Sequence, residues 1–255
     1  MNVFITGASS GIGEALARHY AAQGASLGLV ARRGGLLQQL AASLDTPVTT
    51  YTADVRDADA LASAAADFMQ RYGVPDIVIA NAGVSRGTLT ELKEDTAAFK
   101  AILDINVLGL LHTFQPFIDG MRQRGSGSLV GIASIAGIRG LPGAGAYSAS
   151  KAAAISYLES LRVEMRPHGI DVTTIAPGYI RTPMTDVNTY AMPFLMDADV
   201  AAAKMARAIA ARRRFFVVPW QMGWLARFMR FIPPFLWDWA MKNAPKKAHL
   251  DWDWL

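Results

Sequence analysis

The sequence predicts a doubly wound α/β fold, for three reasons. Short runs rich in Val, Ile and Leu alternate with longer amphipathic stretches as far as Pro219, as strands and helices do when they follow each other in turn. The strand-like runs are almost continuously apolar, which is typical of parallel strands in a sheet covered by helices on both faces. The chain has 255 residues and is 52% hydrophobic, so it is long enough to bury one large core.

Seven strands are predicted, with helices in the gaps between them. They are Asn2–Thr6, Leu27–Ala31, Val48–Ala53, Asp76–Ala80, Ser128–Ala133, Ile170–Ala176 and Phe215–Pro219. Such strands predict a mainly parallel, Rossmann-like sheet, and these sheets bind ligands beyond the carboxyl ends of their strands. We expect residues 1–219 to form this domain and residues 220–255 to form a helical extension, packed on it or on a partner subunit.

Composition narrows the class of protein. The chain has no cysteine, which excludes disulfides and thiolate metal sites and is typical of a reducing cytoplasm. Its four histidines are scattered, so no metal site is predicted. The first strand begins directly after Met1, which leaves no room for a signal peptide. We therefore expect a cytoplasmic protein, and we predict no nucleic-acid partner.

A glycine-rich turn follows the first strand. The run "TGASSGIGEALARHY" begins at Thr6 and spaces its glycines as GxxxGxG before a helix. Glycines let the backbone turn tightly and approach a pyrophosphate, whose charge is met by free N–H groups and by the positive end of the helix dipole. An ordinary turn is the alternative, but the strand before it and the helix after it favour a nucleotide site. The predicted residues are Gly7, Ser9, Ser10, Gly11, Ile12 and Gly13.

The residues after the second and third strands indicate which nucleotide binds. An NAD site would place an acid after the second strand to hold the ribose 2′-hydroxyl, whereas an arginine suits a 2′-phosphate. Arg32 and Arg33 stand there, so NADP(H) is predicted to be preferred over NAD(H); alternatively, the two arginines belong to a solvated loop. After the third strand, Asp54, next to Val55, fits equally an acceptor for the adenine amino group and a turn residue.

Polar residues also follow the later strands. Residues 81–83, "NAG", follow the fourth strand, and Ser134 follows the fifth. Tyr147 and Lys151 lie four residues apart at the start of a helix-favouring run, so their side chains share one helix face; alone, such a pair would be two surface residues. Asn106 interrupts an apolar helix, and it is either satisfied locally or part of a site.

In these motifs the sequence resembles the short-chain dehydrogenase/reductase family. "TGASSGIG", "NAG", Asn106, Ser134, "YSASK" and "PGYIRT" occur in the family's order and approximate spacing, nearest to the branch of corticosteroid-type dehydrogenases and their bacterial relatives. The resemblance implies a seven-stranded Rossmann fold, a nicotinamide cofactor and a homodimer or homotetramer. The catalytic group that it implies is Asn106, Ser134, Tyr147 and Lys151, and the further cofactor-binding residues are Asn81, Ala82, Gly83, Pro177, Gly178, Ile180 and Thr182.

The expected chemistry is hydride transfer between the cofactor and a carbonyl or alcohol. A carbonyl that accepts a hydride also needs a proton, and without a plausibly placed histidine the donor is expected to be Tyr147. The Lys151 ammonium and the charge of oxidised nicotinamide are expected to lower the pKa of that phenol, and Ser134 to hydrogen-bond the substrate oxygen. By resemblance, Lys151 also holds the nicotinamide ribose, and Asn106 anchors a water that links Lys151 to solvent. The rival is a non-catalytic, NADP(H)-binding regulatory protein.

The loops expected around the substrate are rich in apolar residues, which predicts a lipophilic carbonyl or alcohol. These residues include Leu141, Met184, Tyr190, Met192, Phe194 and Met196. Core packing explains many of them equally well. The last strand reads "RRRFFVVPW", unlike the "VDGG"-like ending of acyl-chain reductases in the family, which argues against an acyl-carrier-protein substrate.

The C-terminal extension combines tryptophan with basic residues. It holds every tryptophan of the chain, namely Trp220, Trp224, Trp237, Trp239, Trp252 and Trp254. With its arginines and lysines, this composition is typical of a segment at a membrane surface, but also of a pocket lid or a subunit interface. The favoured hypothesis is that residues 220–241 cover the pocket mouth or a partner subunit, with any membrane contact peripheral. A lipid-directed reductase at the membrane surface is the alternative.

Overall fold

Seven parallel strands form the central sheet in the computed structural model of the chain, which describes residues 1–244. In chain order the strands are β1 (Asn2–Thr6), β2 (Ser26–Ala31), β3 (Val48–Thr52), β4 (Ile77–Ala80), β5 (Gly127–Ile132), β6 (Ile170–Pro177), β7 (Ile180–Arg181), β8 (Met196–Asp197) and β9 (Phe215–Val218). The order across the sheet is β3-β2-β1-β4-β5-β6-β9, and every neighbouring pair is parallel. β7 and β8 pair with each other in a separate two-stranded sheet.

Helices connect the strands and cover the sheet. They are α1 (Gly11–Ala21), α2 (Gly34–Ala42), α3 (Ala58–Tyr72), α4 (Asp95–Leu103), α5 (Gly109–Arg124), α6 (Gly145–Met165), α7 (Pro183–Asp186), α8 (Ala198–Ala210), α9 (Trp220–Phe231) and α10 (Pro234–Met241). A π-helical turn, Asp104–Leu108, joins α4 to α5, and 3₁₀ turns lie at Ile135–Gly137 and Arg166–His168.

The predicted fold class is confirmed. Each of the seven predicted strands is present, with ends that differ by at most one residue; β2, for example, begins one residue earlier than predicted and β3 ends one residue earlier. The sequence did not reveal β7 and β8, because strands of two residues are too short to produce an apolar pattern. The predicted extension forms α9 and α10. Trp252 and Trp254, which the sequence assigned to it, lie outside the described residues.

Helices on both faces explain why the strands are continuously apolar. On β1, Val3 and Ile5 belong to the core under one face of the sheet, together with Leu16 of α1. Phe4 belongs to the core under the other face, together with Phe117 of α5. Each of these five side chains is at most 1% exposed. Since successive residues of a strand point to opposite faces, a sheet that is covered on both faces exposes neither set of side chains, and most strand positions are apolar.

One helical stretch of residues 1–244, Asp95–Arg124, is long and apolar enough to cross a membrane. Half of its most apolar window is buried inside the protein, and Phe114 and Phe117 within it are fully buried. This stretch, which comprises α4, the π-helical turn and α5, therefore packs against the sheet as part of the protein core.

A close contact at Gly137 sets the position of α6 relative to the turn after β5. A Cβ atom at Gly137 would lie 2.6 Å from the backbone carbon of Lys151, 2.7 Å from its oxygen and 2.8 Å from the nitrogen of Ala152. Backbone atoms cannot move aside as the end of a flexible side chain can, so the turn and the helix approach this closely only with glycine.

Gly137→Ala should lower the free energy of unfolding by about 1 to 3 kcal/mol, because the methyl group overpacks this contact. Gly140→Ala, a few residues away, is the matched control, since a Cβ there meets no atom within 4 Å. The control should leave the stability unchanged or raise it slightly. Urea unfolding of both variants measures the difference, and equal stability of the two would contradict the close contact.

Candidate active site

A cleft of about 440 Å³ opens at the carboxyl edge of the sheet. Its walls come from the segments that follow β1, β2, β3, β4, β5 and β6 and from the start of α6. Nearly every residue that the sequence predicted for the site lines this cleft: Gly7, Ser9, Ser10, Gly11, Ile12, Arg32, Arg33, Asp54, Val55, Asn81, Ala82, Gly83, Ser134, Tyr147, Lys151, Pro177, Gly178, Ile180 and Thr182. Gly13 and Asn106 are the two that lie behind its walls.

The glycine turn has the backbone geometry that its sequence predicts. Gly7 and Gly11 have φ angles of +69° and +60°, a region that favours glycine. Gly13 instead packs the first turn of α1 against the protein, since a Cβ there would lie 2.3 Å from the oxygen of Gly7 and 2.5 Å from Nδ2 of Asn81. Gly13 thus has a packing role in this structure, and its contact with the cofactor stays a prediction.

Asn81 ties the turn after β1 to the turn after β4. Its Nδ2 donates to the carbonyl oxygens of Thr6 and Gly7, each at 3.1 Å. The hydroxyl of Thr6 accepts hydrogen bonds from the backbone N–H groups of Asn81 and Ala82, at 3.3 and 3.4 Å. These bonds hold two cleft walls together, and Thr6, which lies next to the predicted glycines, was not among the predicted site residues.

Arg33 lies against the glycine turn. Its Nη2 donates to the hydroxyl oxygens of Ser9, at 2.9 Å, and Ser10, at 2.6 Å, and its Nε donates to Ser9 at 3.2 Å. The arginine and the two serines therefore form one polar corner of the cleft, with an exposed guanidinium. Cation and hydroxyl groups of this kind can bind a phosphate.

Arg32 and Arg56 share the Asp54 carboxylate on the other side of this corner. Arg56 binds it through its backbone N–H at 2.9 Å and its side chain at 2.8 Å, and Arg32 lies 3.7 Å from it. Burial acts to raise the pKa of Asp54, but the hydrogen bonds and charge of Arg56 hold it below its usual value. Because Asp54 accepts the N–H of the residue two positions later, it is a turn residue as well as a cleft residue. The sequence analysis did not single out Arg56.

Tyr147 and Lys151 stand together on α6, as their spacing predicts. The Lys151 Nζ lies 5.8 Å from the centroid of the Tyr147 ring and donates to the carbonyl of Ile132 at 2.8 Å. Tyr147 also makes a side-chain hydrogen bond with Ser134. Ser134 is 8% exposed, and its Oγ accepts the N–H of Ala136 at 3.2 Å. The structure thus brings three of the four predicted catalytic side chains to one wall of the cleft.

Burial shifts both titrating groups of this wall towards their neutral forms. Burial raises the pKa of the Tyr147 phenol, and the hydrogen bond with Ser134 opposes this only in part. Burial lowers the pKa of the Lys151 ammonium to about 8. The sequence predicts a lowered pKa for Tyr147. That prediction is wrong for the effect of the surrounding protein groups, because burial disfavours the charged phenolate more than the hydrogen bond with Ser134 favours it.

Asn106 supports the site from behind. It lies in the π-helical turn and is 2% exposed. Its Oδ1 accepts the N–H of Val84 at 2.9 Å, and its Nδ2 donates to the Val84 oxygen and to the Ser150 hydroxyl at 3.0 and 2.9 Å. Ser150 in turn donates to the carbonyl of Tyr147 at 2.8 Å. Both N–H groups of the amide are thus used to join the loop after β4 to α6.

Several cleft residues were missed by the sequence analysis. Val84 and Ser85 continue the predicted 81–83 turn. Ile105 lies in the same π-helical turn as Asn106, and Val187 directly follows α7. The hydroxyl of Ser85 is buried and has no hydrogen-bond partner among the described residues. No motif marked these positions, since a small or apolar residue next to a motif has no distinctive pattern.

The predicted substrate loops contribute less to the cleft than expected. Of their six apolar residues, Met184 lines it. Met196 is instead part of β8 and packs against the core, and Tyr190 lies 6.3 Å from the ring of Tyr179.

The C-terminal helices border the cleft without lining it. No described residue after Val187 lies in its walls. α9 contacts Gly178, where a Cβ would lie 2.8 Å from Met222. Arg139, in the loop after the Ser134 turn, donates to the carbonyls of Met229 and Ile232 at 3.1 and 2.8 Å.

Comparison with known proteins identifies the family. The family model described as short chain dehydrogenase matches residues 1–192. An uncharacterized oxidoreductase of Myxococcus xanthus is 37% identical over 242 residues, which cover 94% of this chain and 95% of that protein. The chain belongs to the short-chain dehydrogenase family. The resemblance seen in the sequence is thereby confirmed.

Two further comparisons agree with this assignment. The 11-beta-hydroxysteroid dehydrogenase 1A of Arabidopsis thaliana is 38% identical over 187 residues, which cover 72% of this chain and 53% of that protein. The crystal structure of a short-chain dehydrogenase from Streptomyces avermitilis superposes with a TM-score of 0.79 at 27% identity, covering 94% of this chain and 97% of that one. Members of the family are oxidoreductases that use a nicotinamide cofactor and small-molecule substrates, and the chain is accordingly a dehydrogenase or reductase.

Asn81→Asp should lower the free energy of unfolding by about 1 to 3 kcal/mol, because a carboxylate would replace the N–H donor that faces the carbonyls of Thr6 and Gly7. The same variant should weaken cofactor binding, since these carbonyls belong to the glycine turn. Asn243→Asp, at an exposed position, is the matched control and should change neither quantity. Urea unfolding measures the stability, and cofactor titration measures the affinity. An Asn81→Asp protein as stable as the control would show that the two hydrogen bonds from Asn81 do not stabilise the fold.

Proposed function

We propose that the protein is an NADP(H)-dependent oxidoreductase that transfers a hydride between the nicotinamide and a lipophilic carbonyl or alcohol, with Tyr147 as the general acid and base. The observation that carries the proposal is the convergence of Tyr147, Ser134 and Lys151 on one wall of a cleft that begins at a glycine turn. A carbonyl group placed there meets a hydroxyl donor and a cation together.

The residues of the cleft fit a dinucleotide. The left-handed glycines and the N-terminus of α1 would hold its pyrophosphate. A Cβ at Gly7 would lie 2.7 Å from the Cα of Ala82. Glycine is therefore needed where the turn after β1 meets the turn after β4. When bound, the cofactor supplies the hydride donor or acceptor. At the opposite end, the residues that would surround the nicotinamide are Ala82, Gly83, Pro177, Gly178, Ile180 and Thr182.

The arginine corner supports the choice of NADP(H) over NAD(H). Arg33, held by Ser9 and Ser10, presents an exposed guanidinium beside the glycine turn, and Arg32 lies next to it. The nearby acid, Asp54, is bound by Arg56, so the corner keeps a positive charge that suits a 2′-phosphate. We assign the principal 2′-phosphate contact to Arg33 and a supporting one to Arg32.

The proton chemistry follows from the electrostatics of the wall. With its raised pKa, Tyr147 is protonated at neutral pH and can donate its proton to the substrate oxygen as the substrate carbon gains the hydride. The resulting phenolate is stabilised by the hydrogen bond with Ser134 and by the Lys151 ammonium, which is largely protonated at neutral pH because its pKa is about 8. In the reverse direction the phenolate accepts the alcohol proton. Lys151 would also hold the nicotinamide ribose, and Asn106 would act by positioning the loop and α6.

The substrate is proposed to be lipophilic because apolar residues take part in the lining of the cleft that Tyr147 also lines. They include Val84, Ile105, Met184 and Val187. The relative from Arabidopsis thaliana is named for a hydroxysteroid, and we extend this chemistry, a secondary alcohol or ketone on an apolar body, to the present chain. We also propose a homodimer or homotetramer in the cytoplasm as the working form.

A non-catalytic regulator that binds NADP(H) is the second candidate. The fold alone would permit it. A regulator, however, has no use for a buried tyrosine, serine and lysine at one wall. Oxidation of NADPH on addition of a panel of steroids, quinones and aromatic ketones separates the two, because a regulator would oxidise none.

Tyr147→Phe should reduce turnover by at least about a hundredfold while leaving NADPH affinity within a few-fold, because the variant removes an interaction that matters chiefly in the transition state. Tyr157→Phe, on the same helix and outside the cleft, is the control and should retain parental activity. Steady-state rates with the best substrate of the panel and fluorescence titration of NADPH measure the effects. If Tyr147→Phe kept more than about a tenth of the parental rate, another group would be the proton donor.

Arg33→Ala should weaken NADPH binding by about 10-fold to 100-fold while changing NADH binding by no more than about threefold, because it removes a charge-assisted contact that only the 2′-phosphate makes. Arg32→Ala should also weaken NADPH binding, but by a smaller factor. Arg122→Ala, at an exposed position on α5, is the control. Kd values of each variant for NADPH and NADH test this. If Arg32→Ala lost more NADPH affinity than Arg33→Ala, Arg32 would make the principal contact; if neither variant lost NADPH affinity, the 2′-phosphate site would be refuted.

A further inference from the structure

Large aromatic side chains on α9 point away from the protein. Trp220, Trp224, Phe228 and Phe231 recur every three or four residues, so they share one face of the helix. Their exposed fractions are 64%, 65%, 68% and 83%. The opposite face carries the buried residues Met222 and Ala226, and it is this face that packs against the domain.

α9 therefore has the reverse of the usual arrangement. In most surface helices the large apolar side chains are buried and the polar ones are exposed. Here one buried side chain is an alanine, and the four exposed ones are tryptophan and phenylalanine. Such rings contribute more apolar surface than any other side chains. Four exposed rings in one row therefore indicate a surface that binds a partner.

α10 continues this exposed surface. Phe235 and Trp239 lie four residues apart, with exposed fractions of 69% and 79%, and Leu236 between them is 46% exposed. None of the residues of α10 is buried. We call the six exposed rings of α9 and α10 the aromatic face; they are Trp220, Trp224, Phe228, Phe231, Phe235 and Trp239.

Basic residues accompany the aromatic face. Arg227, Arg230 and Lys242 are exposed, and the Arg227 guanidinium lies 5.5 Å from the centroid of the Trp224 ring. Asp238 is the one acid in the sequence between residues 220 and 244. The partner that covers this surface must therefore be apolar at the rings and negative beside them.

A second copy of the chain meets this requirement poorly. A two-fold interface places the same patch of both subunits against itself, so the basic residues of one copy would face those of the other with one acid from each to compensate. The surface of an anionic bilayer meets it well. Tryptophan rings are favoured at the depth of the lipid headgroups, and arginine and lysine are attracted to anionic lipid.

We propose that the aromatic face of α9 and α10 docks onto the surface of an anionic phospholipid bilayer. The rings enter the headgroup region, and Arg227, Arg230 and Lys242 lie beside the lipid phosphates. The contact is interfacial, because α9 and α10 have 12 and 8 residues and Ile232 and Pro233 separate them, whereas a spanning helix needs about 20 residues.

The docking surface is joined to the loop beside the cleft. Arg139 donates to the carbonyls of Met229 and Ile232, at the end of α9, and its guanidinium lies 4.9 Å from the ring centroid of Trp237. Arg139 follows the 3₁₀ turn Ile135–Gly137, which begins directly after Ser134. The helices that carry the aromatic face are thus bound to a loop that begins at the cleft residue Ser134, although the docking itself needs no catalytic activity.

Vesicle flotation tests the proposal with the full-length protein. The protein is mixed with phosphatidylcholine vesicles or with vesicles that also contain phosphatidylserine, and the floating fraction is measured at low and high salt. We expect flotation with the anionic vesicles alone, reduced by salt because the charges are exposed.

Two double variants and their controls locate the contact. Trp224→Ser with Phe228→Ser should reduce vesicle binding by at least about tenfold, since two rings leave the interface; Arg227→Gln with Arg230→Gln should reduce it by about thirtyfold. The controls change exposed residues on other helices, Phe99→Ser with Val163→Ser and Arg122→Gln with Arg166→Gln, and should bind as the parent does. NADPH titration and circular dichroism check that all four variants are folded.

Either of two results would overturn the proposal. The first is parental protein that does not float with anionic vesicles; if light scattering then showed an oligomer that Trp224→Ser with Phe228→Ser dissociates, a second copy would be the partner. The second is vesicle binding that both double variants retain. Since NADPH binding and turnover of a soluble carbonyl are measured on the same samples, failure of the docking surface can be told apart from failure of the proposed reaction.

Discussion

The strand order around β1 is the constraint on which the site depends. The chain passes from β1 to β2 and β3 on one side and then returns to place β4 on the other side of β1. At such a reversal the segments after neighbouring strands diverge and leave a crevice. Asn81 bridges this crevice with two hydrogen bonds, and Gly7 and Gly13 let the walls approach closely. The shape of the cleft thus depends on close contacts to backbone atoms at Asn81, Gly7 and Gly13, and few substitutions at these residues can preserve them.

Burial then decides the charge states at the other end of the cleft. Burial removes water from both side chains, which disfavours the charged form of each. The Tyr147 phenol therefore binds its proton more tightly than in water, and the Lys151 ammonium binds its proton less tightly. Since the ordinary pKa values of the two groups are similar, burial moves their proton affinities apart, and the phenol becomes the group that holds its proton more tightly. Ser134 and the carbonyl of Ile132 fix the two side chains while leaving them beside the cleft. At neutral pH the phenol of this pair therefore carries its proton beside the cleft.

Much of the fold and most of the candidate site were predictable from the sequence. The apolar strands, the GxxxGxG turn and the Tyr147–Lys151 spacing are local patterns, and their structural meaning depends on the backbone period alone. Because the strands are parallel, residues that directly follow them must gather at one edge. That is why Ser134, which is far in sequence from the glycine turn, lies in the same cleft.

The sequence by itself determined which residues meet at the carboxyl edge and which residues share a helix face; the tertiary structure decided which way each face and side chain points. Gly13 faces the Gly7 carbonyl, Asn106 joins Val84 to Ser150, and Arg33 contacts the serines of the glycine turn. On α9, the spacing put the aromatic rings in one row, but either face could have been buried. The choice depends on what distant segments present to the helix, and such contacts are absent from any local pattern.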